Sequence, residues 1–142
     1  ALAAQGYAGA VQACSQVAQQ KTLAVAAAQG LPVRRVSLRY RNAASRPDGW
    51  ENQQLSHLEK QVERNLPVPD EVYEVVKVNG HQELRYLKPI RLEAVCMGCH
   101  GDRQALAPGV PEKLKVLYPA DKATGYHTGQ LRGAISVRVP LN

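Results

Sequence analysis

The stretch that decides the fold is VYEVVKVNGHQELRYL, residues 72–87. Two runs of strand length, residues 72–78 and 81–87, flank the dipeptide Asn79-Gly80. An Asn-Gly pair between two such runs is the strongest short-range signal of a β-hairpin, because both residues tolerate the positive φ of a tight turn. The stretch therefore predicts two antiparallel strands, Val72 to Val78 and His81 to Leu87.

Two other segments show the period of two that is typical of a half-buried strand. In the segment 35–41, Val36, Leu38 and Tyr40 alternate with polar residues, most of which are arginines. In the segment 131–139, apolar residues and Gly133 alternate with Arg132, Ser136 and Arg138. Both segments are predicted to add strands to the sheet that the hairpin begins.

Segments with helical periodicity lie before and between these predicted strands in the sequence. Residues from Ala3 to Ala28 predict a long helix that ends at Gly30 and Pro32. Trp50, Leu55, Leu58 and Val62 predict a second helix, which ends before Pro67 and Pro69. A short helical or irregular stretch is expected around Leu114 and Leu117. The predicted fold class is α+β with an antiparallel sheet.

Length and composition favour one globular domain. A chain of 142 residues fits a single domain, because domains usually contain about 100 to 200 residues. With 44% hydrophobic and 21% charged residues, the chain has enough apolar material for a core. Aromatic residues make up only 5% and Phe is absent, so another group is expected to fill part of the core. We predict one domain over residues 1–142.

The net charge of +6 favours an acidic partner. Five arginines lie close together without the stacking aromatics that proteins binding single-stranded nucleic acid use. They are Arg34, Arg35, Arg39, Arg41 and Arg46. We therefore expect an acidic redox or signalling protein as the partner and no nucleic acid.

The sequence contains no run of 18 apolar residues, so no membrane span is predicted. The first residues, Ala1-Leu2-Ala3-Ala4, lack the basic start of a signal peptide, and no initiating Met is present. We interpret the chain as mature or trimmed, with an export signal or anchor removed.

The most informative segment is Cys96-Met97-Gly98-Cys99-His100, because Cys-x-x-Cys-His is the pattern of covalent c-type haem attachment. Each thiol adds to one vinyl group of the porphyrin, and the adjacent imidazole binds the iron. A thioredoxin-like pair is disfavoured because it belongs at the start of a helix in a parallel α/β pattern, and a zinc site needs a second pair of ligands. We predict one haem c on Cys96 and Cys99, with His100 as the proximal iron ligand. Since this maturation occurs outside the cytoplasm, we also predict an extracytoplasmic location.

The sixth iron ligand has several candidates. The only methionine, Met97, lies inside the motif and is tethered too tightly to reach the far face of the porphyrin. The other candidates are Cys14, His57, His81 and His127, unless the position is open or held by water. Cys14 lies on the apolar stripe of the first helix among small alanines, where a flat porphyrin could approach. A plain buried cysteine is the alternative for Cys14, and solvated surface residues are the alternative for the three histidines.

The residues resemble the c-type haem domains with a PAS-like fold, which occur as small free-standing proteins or as extracytoplasmic sensor portions of signalling proteins. The likeness extends over nearly the whole chain. It lies in the N-terminal helix with Cys14 and in the segments Leu38–Asn42, Pro47–Glu51, Leu84–Ile90, Cys96–Gly101, Tyr118–Tyr126 and Gly129–Val137.

The resemblance implies a PAS-like antiparallel sheet of about five strands with the haem between the sheet and the N-terminal helix. It also implies His100 and Cys14 as the axial ligands and a redox or gas sensor, with electron transfer as the alternative. No catalytic activity is implied.

Two further expectations concern the cofactor. Haem propionates need hydrogen-bond donors, and Arg41 and Arg39 are predicted to supply them. A thiolate ligand stabilises ferric iron, so the Cys14 bond is expected to loosen on reduction and to free the site for CO or NO. The runner-up is a low-potential carrier that docks to an acidic redox protein.

Overall fold

The computed structural model describes residues 2–141. The predicted extent of the domain, residues 1–142, stays a prediction, and its ends Ala1 and Asn142 lie outside the described residues. The α-helices are α1 (Leu2–Ala13), α2 (Gln19–Gln29), α3 (Gly49–Glu63), α4 (Met97–His100) and α5 (Val110–Leu117). The strands are β1 (Val33–Val36), β2 (Val72–Val78), β3 (His81–Arg91) and β4 (Leu131–Pro140). The predicted α+β class is confirmed.

The sheet is antiparallel throughout, with the strand order β1-β4-β3-β2. The hairpin forms as predicted, with Val78 opposite His81 and positive φ values of 49° at Asn79 and 83° at Gly80. Two positive φ angles in succession define the turn type whose twist matches that of the flanking strands.

The strand β3 continues four residues beyond the predicted end at Leu87. Val72, the first residue of β2, pairs with Leu87, so the segment Lys88–Arg91 pairs with β4 alone. This segment contains Pro89, which has no N–H to donate and is therefore tolerated where one side of a strand lacks a neighbour.

The strand predicted over residues 35–41 is wrong beyond Val36. The strand ends at Val36, the Ser37 backbone N–H donates to the Ser45 carbonyl oxygen at 3.0 Å, and the chain turns at Leu38 and Arg39. The following side chains of Arg39 and Arg41 bond to the loop 121–124 instead of forming the outer face of a strand. The described residues therefore form four strands, where the resemblance implied about five.

The long N-terminal helix is confirmed but is not uniform. It consists of α1, a π-helical turn over Cys14–Ala18 and α2, and Gly6 within α1 is non-helical. It ends at Gly30, which has a left-handed φ of 64°, as expected for a C-terminal glycine. Single π-turns inside α-helices are frequent at functional sites, and this turn begins at Cys14.

The helix α3 covers one face of the sheet. Leu55 and Leu58 of α3 pack with Val36, Leu87 and Ala134 of the strands in the main core cluster.

A buried polar network lies beside this core. Glu51 is fully buried and accepts a hydrogen bond from Ser136 Oγ at 2.7 Å. Asp48 caps α3 through Glu51 N at 2.9 Å and accepts from Arg85 Nη2 at 2.6 Å. These bonds link α3 to β3 through Arg85 and to β4 through Ser136, while Arg85 Nε is buried without a hydrogen-bond partner.

Among residues 2–141, every helix is too short or too polar to cross a lipid bilayer.

Candidate functional site

A cavity of about 300 Å³ is bounded by the N-terminal helix, one end of the sheet and the Cys-x-x-Cys-His segment. The side chains that give it chemical character come from all three places. They include Ala10, Cys14, Cys96, Cys99, His100 and Gly133. The structure thus brings together the four residues that the sequence predicted as covalent or iron-binding, although they are far apart along the chain.

The two motif cysteines lie on consecutive short helical segments. Cys96 ends a 3₁₀ turn that begins at Ala94, and Cys99 lies in α4. Both are free thiols and half-buried. Burial raises the pKa of the Cys99 thiol above its ordinary value.

His100 has a fixed ring orientation. Its Nδ1 lies 2.8 Å from the backbone oxygen of Ala123. Burial, reinforced by the nearby cations Arg132 and Arg41, lowers the pKa of His100 to about 4. The ring is therefore neutral at neutral pH, Nδ1–H donates to the carbonyl, and Nε2 keeps a lone pair. This is the tautomer that binds a metal ion through Nε2, with its other nitrogen held by a carbonyl.

Cys14 is the candidate sixth ligand that lines the cavity. Its side chain is exposed and lines the cavity, and both the ligand role and the alternative of a plain cysteine stay predictions. The other candidates, His57, His81 and His127, are exposed, and none of them lines the cavity.

Arg41 lines the cavity, but its guanidinium already has a carboxylate partner. Arg41 Nε donates to Asp121 Oδ1 at 2.9 Å and Arg41 Nη2 to Asp121 Oδ2 at 3.2 Å. Two parallel bonds of this kind form the strongest Arg–carboxylate geometry. The predicted contact between Arg41 and a propionate stays a prediction, and the geometry favours Asp121 as the partner instead.

Arg39 is directed to a neighbouring loop. It donates to the backbone oxygens of Lys122 and Thr124, and its guanidinium lies 4.1 Å from the centre of the Tyr126 ring. It is not among the residues that line the cavity. The propionate role of Arg39 likewise stays a prediction, which this placement disfavours.

The sequence analysis missed Arg132 as a site residue. Arg132 lines the cavity and donates to Ser37 Oγ at 2.7 Å. Burial lowers the pKa of Arg132, and it forms no ion pair with a carboxylate of residues 2–141. Charges withdrawn from water are normally paired, so this half-buried guanidinium in the cavity wall fits an anionic group. The strand periodicity identified Arg132 only as a polar position, because its surroundings depend on how β4 meets the turn after β1.

Two glycines allow close packing around the cavity. A Cβ on Gly98 would lie 2.2 Å from Cε1 of Tyr7, so the ring of Tyr7 in α1 rests directly on the motif helix. A Cβ on Gly133, where φ is 156°, would lie 2.2 Å from the Val36 carbonyl oxygen. Both positions therefore need glycine, the first to seat α1 on α4 and the second to bring β4 against β1.

These observations define a PAS-like α+β domain whose cavity, between a helix and an antiparallel sheet, is lined by a Cys-x-x-Cys-His motif. The chain belongs to the Tll0287-like family, whose model matches residues 4–140. It is similar to the solved structure described as the crystal structure of the cyanobacterial heme-protein Tll0287, with a TM-score of 0.72 and 28% sequence identity. The match covers 91% of this chain and 72% of that one. No curated protein matches the chain significantly. The family resemblance stated from the sequence is confirmed.

Proposed function

We propose that this chain is a monohaem c-type haem protein of an extracytoplasmic compartment that acts as a redox or gas sensor. Cys96 and Cys99 bind the haem covalently, His100 is the proximal ligand, and Cys14 is the distal ligand in the ferric state. The proposal assigns no catalytic activity to the chain.

The observation that carries the proposal is the convergence of Cys14 with Cys96, Cys99 and His100 on one cavity. The histidine is neutral with Nε2 available, and the thiols are unpaired. The chemistry of the donor set therefore fits haem. The heme-protein title of the similar structure supports the same cofactor.

The other walls of the cavity also suit a flat cofactor that carries carboxylates. Ala10 and Gly133 present little or no side chain to the cavity, which leaves room for a planar ring. Arg132 supplies a cation without a carboxylate partner among residues 2–141. Arginine meets carboxylates with well-defined geometry, so we assign to Arg132 the contact with the anionic edge of the haem.

The position of Cys14 supports a sensor. Haem supplies an iron whose charge changes by one unit on reduction. Ferrous iron holds an anionic sulfur less strongly than ferric iron, so one electron from a low-potential donor is expected to release Cys14. Release would free the distal position for CO or NO and would remove the bond that holds the π-turn at Cys14. The protein would then have two states that an acidic signalling partner can distinguish.

The intact mass of the protein, exported by cells with a cytochrome c maturation system, tests the attachment. After extraction with acid and organic solvent, we expect the polypeptide mass plus one haem. The double variant Cys96→Ala/Cys99→Ala is expected to lose its haem in the same extraction. A wild-type mass equal to that of the bare polypeptide would contradict covalent attachment.

Titration of the dithionite-reduced protein with CO and NO tests the sensor. We expect both gases to bind, because Cys14 leaves the ferrous iron. Ferrous protein that stays six-coordinate, refuses both gases and transfers electrons rapidly to an acidic redox protein would overturn the sensor. Such behaviour would favour the electron carrier, for which the net charge of +6 would serve docking.

A further inference from the structure

A buried ion pair contacts the segment that carries His100. The side chains of Arg41 and Asp121 are only 11% and 4% exposed, and Arg41 Nε lies 2.9 Å from Asp121 Oδ1. The same guanidinium also donates through Nη2 to the carbonyl oxygens of Cys99 at 2.7 Å and Ala123 at 3.1 Å. Because Nη2 has two protons and a third acceptor in Asp121 Oδ2 at 3.2 Å, one of these protons is shared between two acceptors. Asp121 in turn accepts from the backbone N–H of Ala123 at 2.9 Å. The pair therefore fixes both the end of the motif helix and the loop opposite it.

The Ala123 carbonyl has two donors. His100 Nδ1 lies 2.8 Å from this oxygen, and Arg41 Nη2 lies 3.1 Å from it. A carbonyl oxygen has two lone pairs and can accept both bonds. A cationic donor withdraws electron density from the oxygen, however, and makes it a weaker acceptor for the second donor.

The strength of the hydrogen bond that Nδ1–H donates influences how strongly an imidazole donates electrons to a metal ion, because a better acceptor raises the basicity of the ligand. We propose that Arg41 is a positioning residue that limits the electron donation of His100 to the haem iron through the Ala123 carbonyl. Asp121 sets the size of this effect, because its carboxylate neutralises part of the Arg41 charge. This inference rests on the proposed function, and it gives Arg41 a role different from contact with a propionate.

The first test is the Arg41→Gln variant of the haem-loaded protein. If the reduced protein is five-coordinate, resonance Raman spectroscopy measures the iron–histidine stretching frequency. If it is six-coordinate and diamagnetic, NMR measures the resonance of the His100 Nδ1 proton. We expect a higher stretching frequency or a downfield proton shift, because the carbonyl accepts more strongly once the cation is gone.

The matched control is Arg39→Gln. It removes one positive charge that is bonded to the same loop, but Arg39 donates to Lys122 and Thr124 and not to Ala123. A through-space effect of charge predicts similar changes in both variants. The proposal predicts a clear shift in Arg41→Gln and almost none in Arg39→Gln.

The Asp121→Asn variant gives the opposite test. It keeps the Arg41 cation but removes the charge that balances it, so the Ala123 carbonyl becomes a poorer acceptor. We expect a lower stretching frequency or an upfield proton shift, in the direction opposite to that of Arg41→Gln. A role limited to folding would move both variants in the same direction or broaden both signals.

The outcomes separate this inference from the proposed function. Haem-loaded variants with the wild-type signal, or with equal shifts in Arg41→Gln and Arg39→Gln, overturn the role of Arg41 and leave the proposed function intact. A wild-type protein that carries no covalent haem overturns both.

Discussion

The two halves of the N-terminal helix differ sharply in how they are held. In the first half, α1, Val11 is 3% exposed and packs with Val110 and Leu114 of α5. The second half, α2, has no buried residue, and its Leu23 and Val25 are 58% and 53% exposed. The helix therefore consists of a packed segment and an exposed segment, although its sequence is rich in alanine throughout.

The boundary between these halves coincides with the candidate iron ligand. Cys14 is the first residue of the π-turn that joins α1 to α2. A bond from Cys14 to a group in the cavity would extend the fixed part of the helix as far as the turn. If Cys14 binds the iron as proposed, a change of ligation would act on the turn that joins the packed half to the exposed half.

Among the variants that test this contrast, Leu114→Ala is expected to lower the free energy of unfolding most. Leu114 is 6% exposed and belongs to the cluster that seats α1 on α5. Truncation of a buried leucine leaves a cavity and costs about 2–5 kcal/mol of unfolding free energy. Urea unfolding of the haem-loaded protein measures this loss.

The matched control is Leu23→Ala in the exposed half. The same change on the surface is expected to alter the unfolding free energy by no more than about 0.5 kcal/mol. Equal losses in the two variants would show that α2 is packed as firmly as α1 and would remove the contrast.

A smaller effect is expected from Gly98→Ala, which introduces a methyl group where the Tyr7 ring lies. Overpacking of this kind typically costs about 1–3 kcal/mol. Because α1 must move away from the motif helix, the ferric absorption spectrum is also expected to change.

Two further variants test whether the clash with Tyr7 causes the stability loss and the spectral change of Gly98→Ala. Adding Tyr7→Ala to Gly98→Ala removes the clash, so the combined loss should be smaller than the sum of the single losses. Gly49→Ala places a methyl group where nothing lies within 4 Å and is expected to leave the spectrum unchanged. Strictly additive losses would mean that the ring of Tyr7 does not rest on Gly98.

Local signals in the sequence predicted most of the fold. The Asn79-Gly80 turn, the alternation in residues 131–139 and the prolines after α3 each report on a few neighbouring residues, and each prediction is confirmed. The strand predicted over residues 35–41 is wrong beyond Val36, because the alternating residues that follow have no strand as a partner. The side chains of Arg39 and Arg41 bond to loop residues 85 and 80 positions away in sequence, and no local period reports such a partner.

The site residues likewise fall into those that a local motif identifies and those that depend on tertiary contacts. The Cys-x-x-Cys-His spacing is local chemistry, so the sequence could identify Cys96, Cys99 and His100. The bidentate pair of Arg41 with Asp121 and the unpaired cation Arg132 depend on how separate elements meet. Sequence reasoning recognised arginines as partners for carboxylates, but it could not distinguish an arginine that already has a carboxylate from one that does not.

The measurement that tests the central claim most directly is electron paramagnetic resonance of ferric Cys14→Ala beside the wild-type protein. We predict low-spin g-values typical of a thiolate in the wild type and their loss in Cys14→Ala. Val17→Ala serves as the control, because Val17 lies in the same π-turn, is 45% exposed and does not line the cavity; it should keep the wild-type signal. An unchanged ferric spectrum in Cys14→Ala would contradict thiolate ligation.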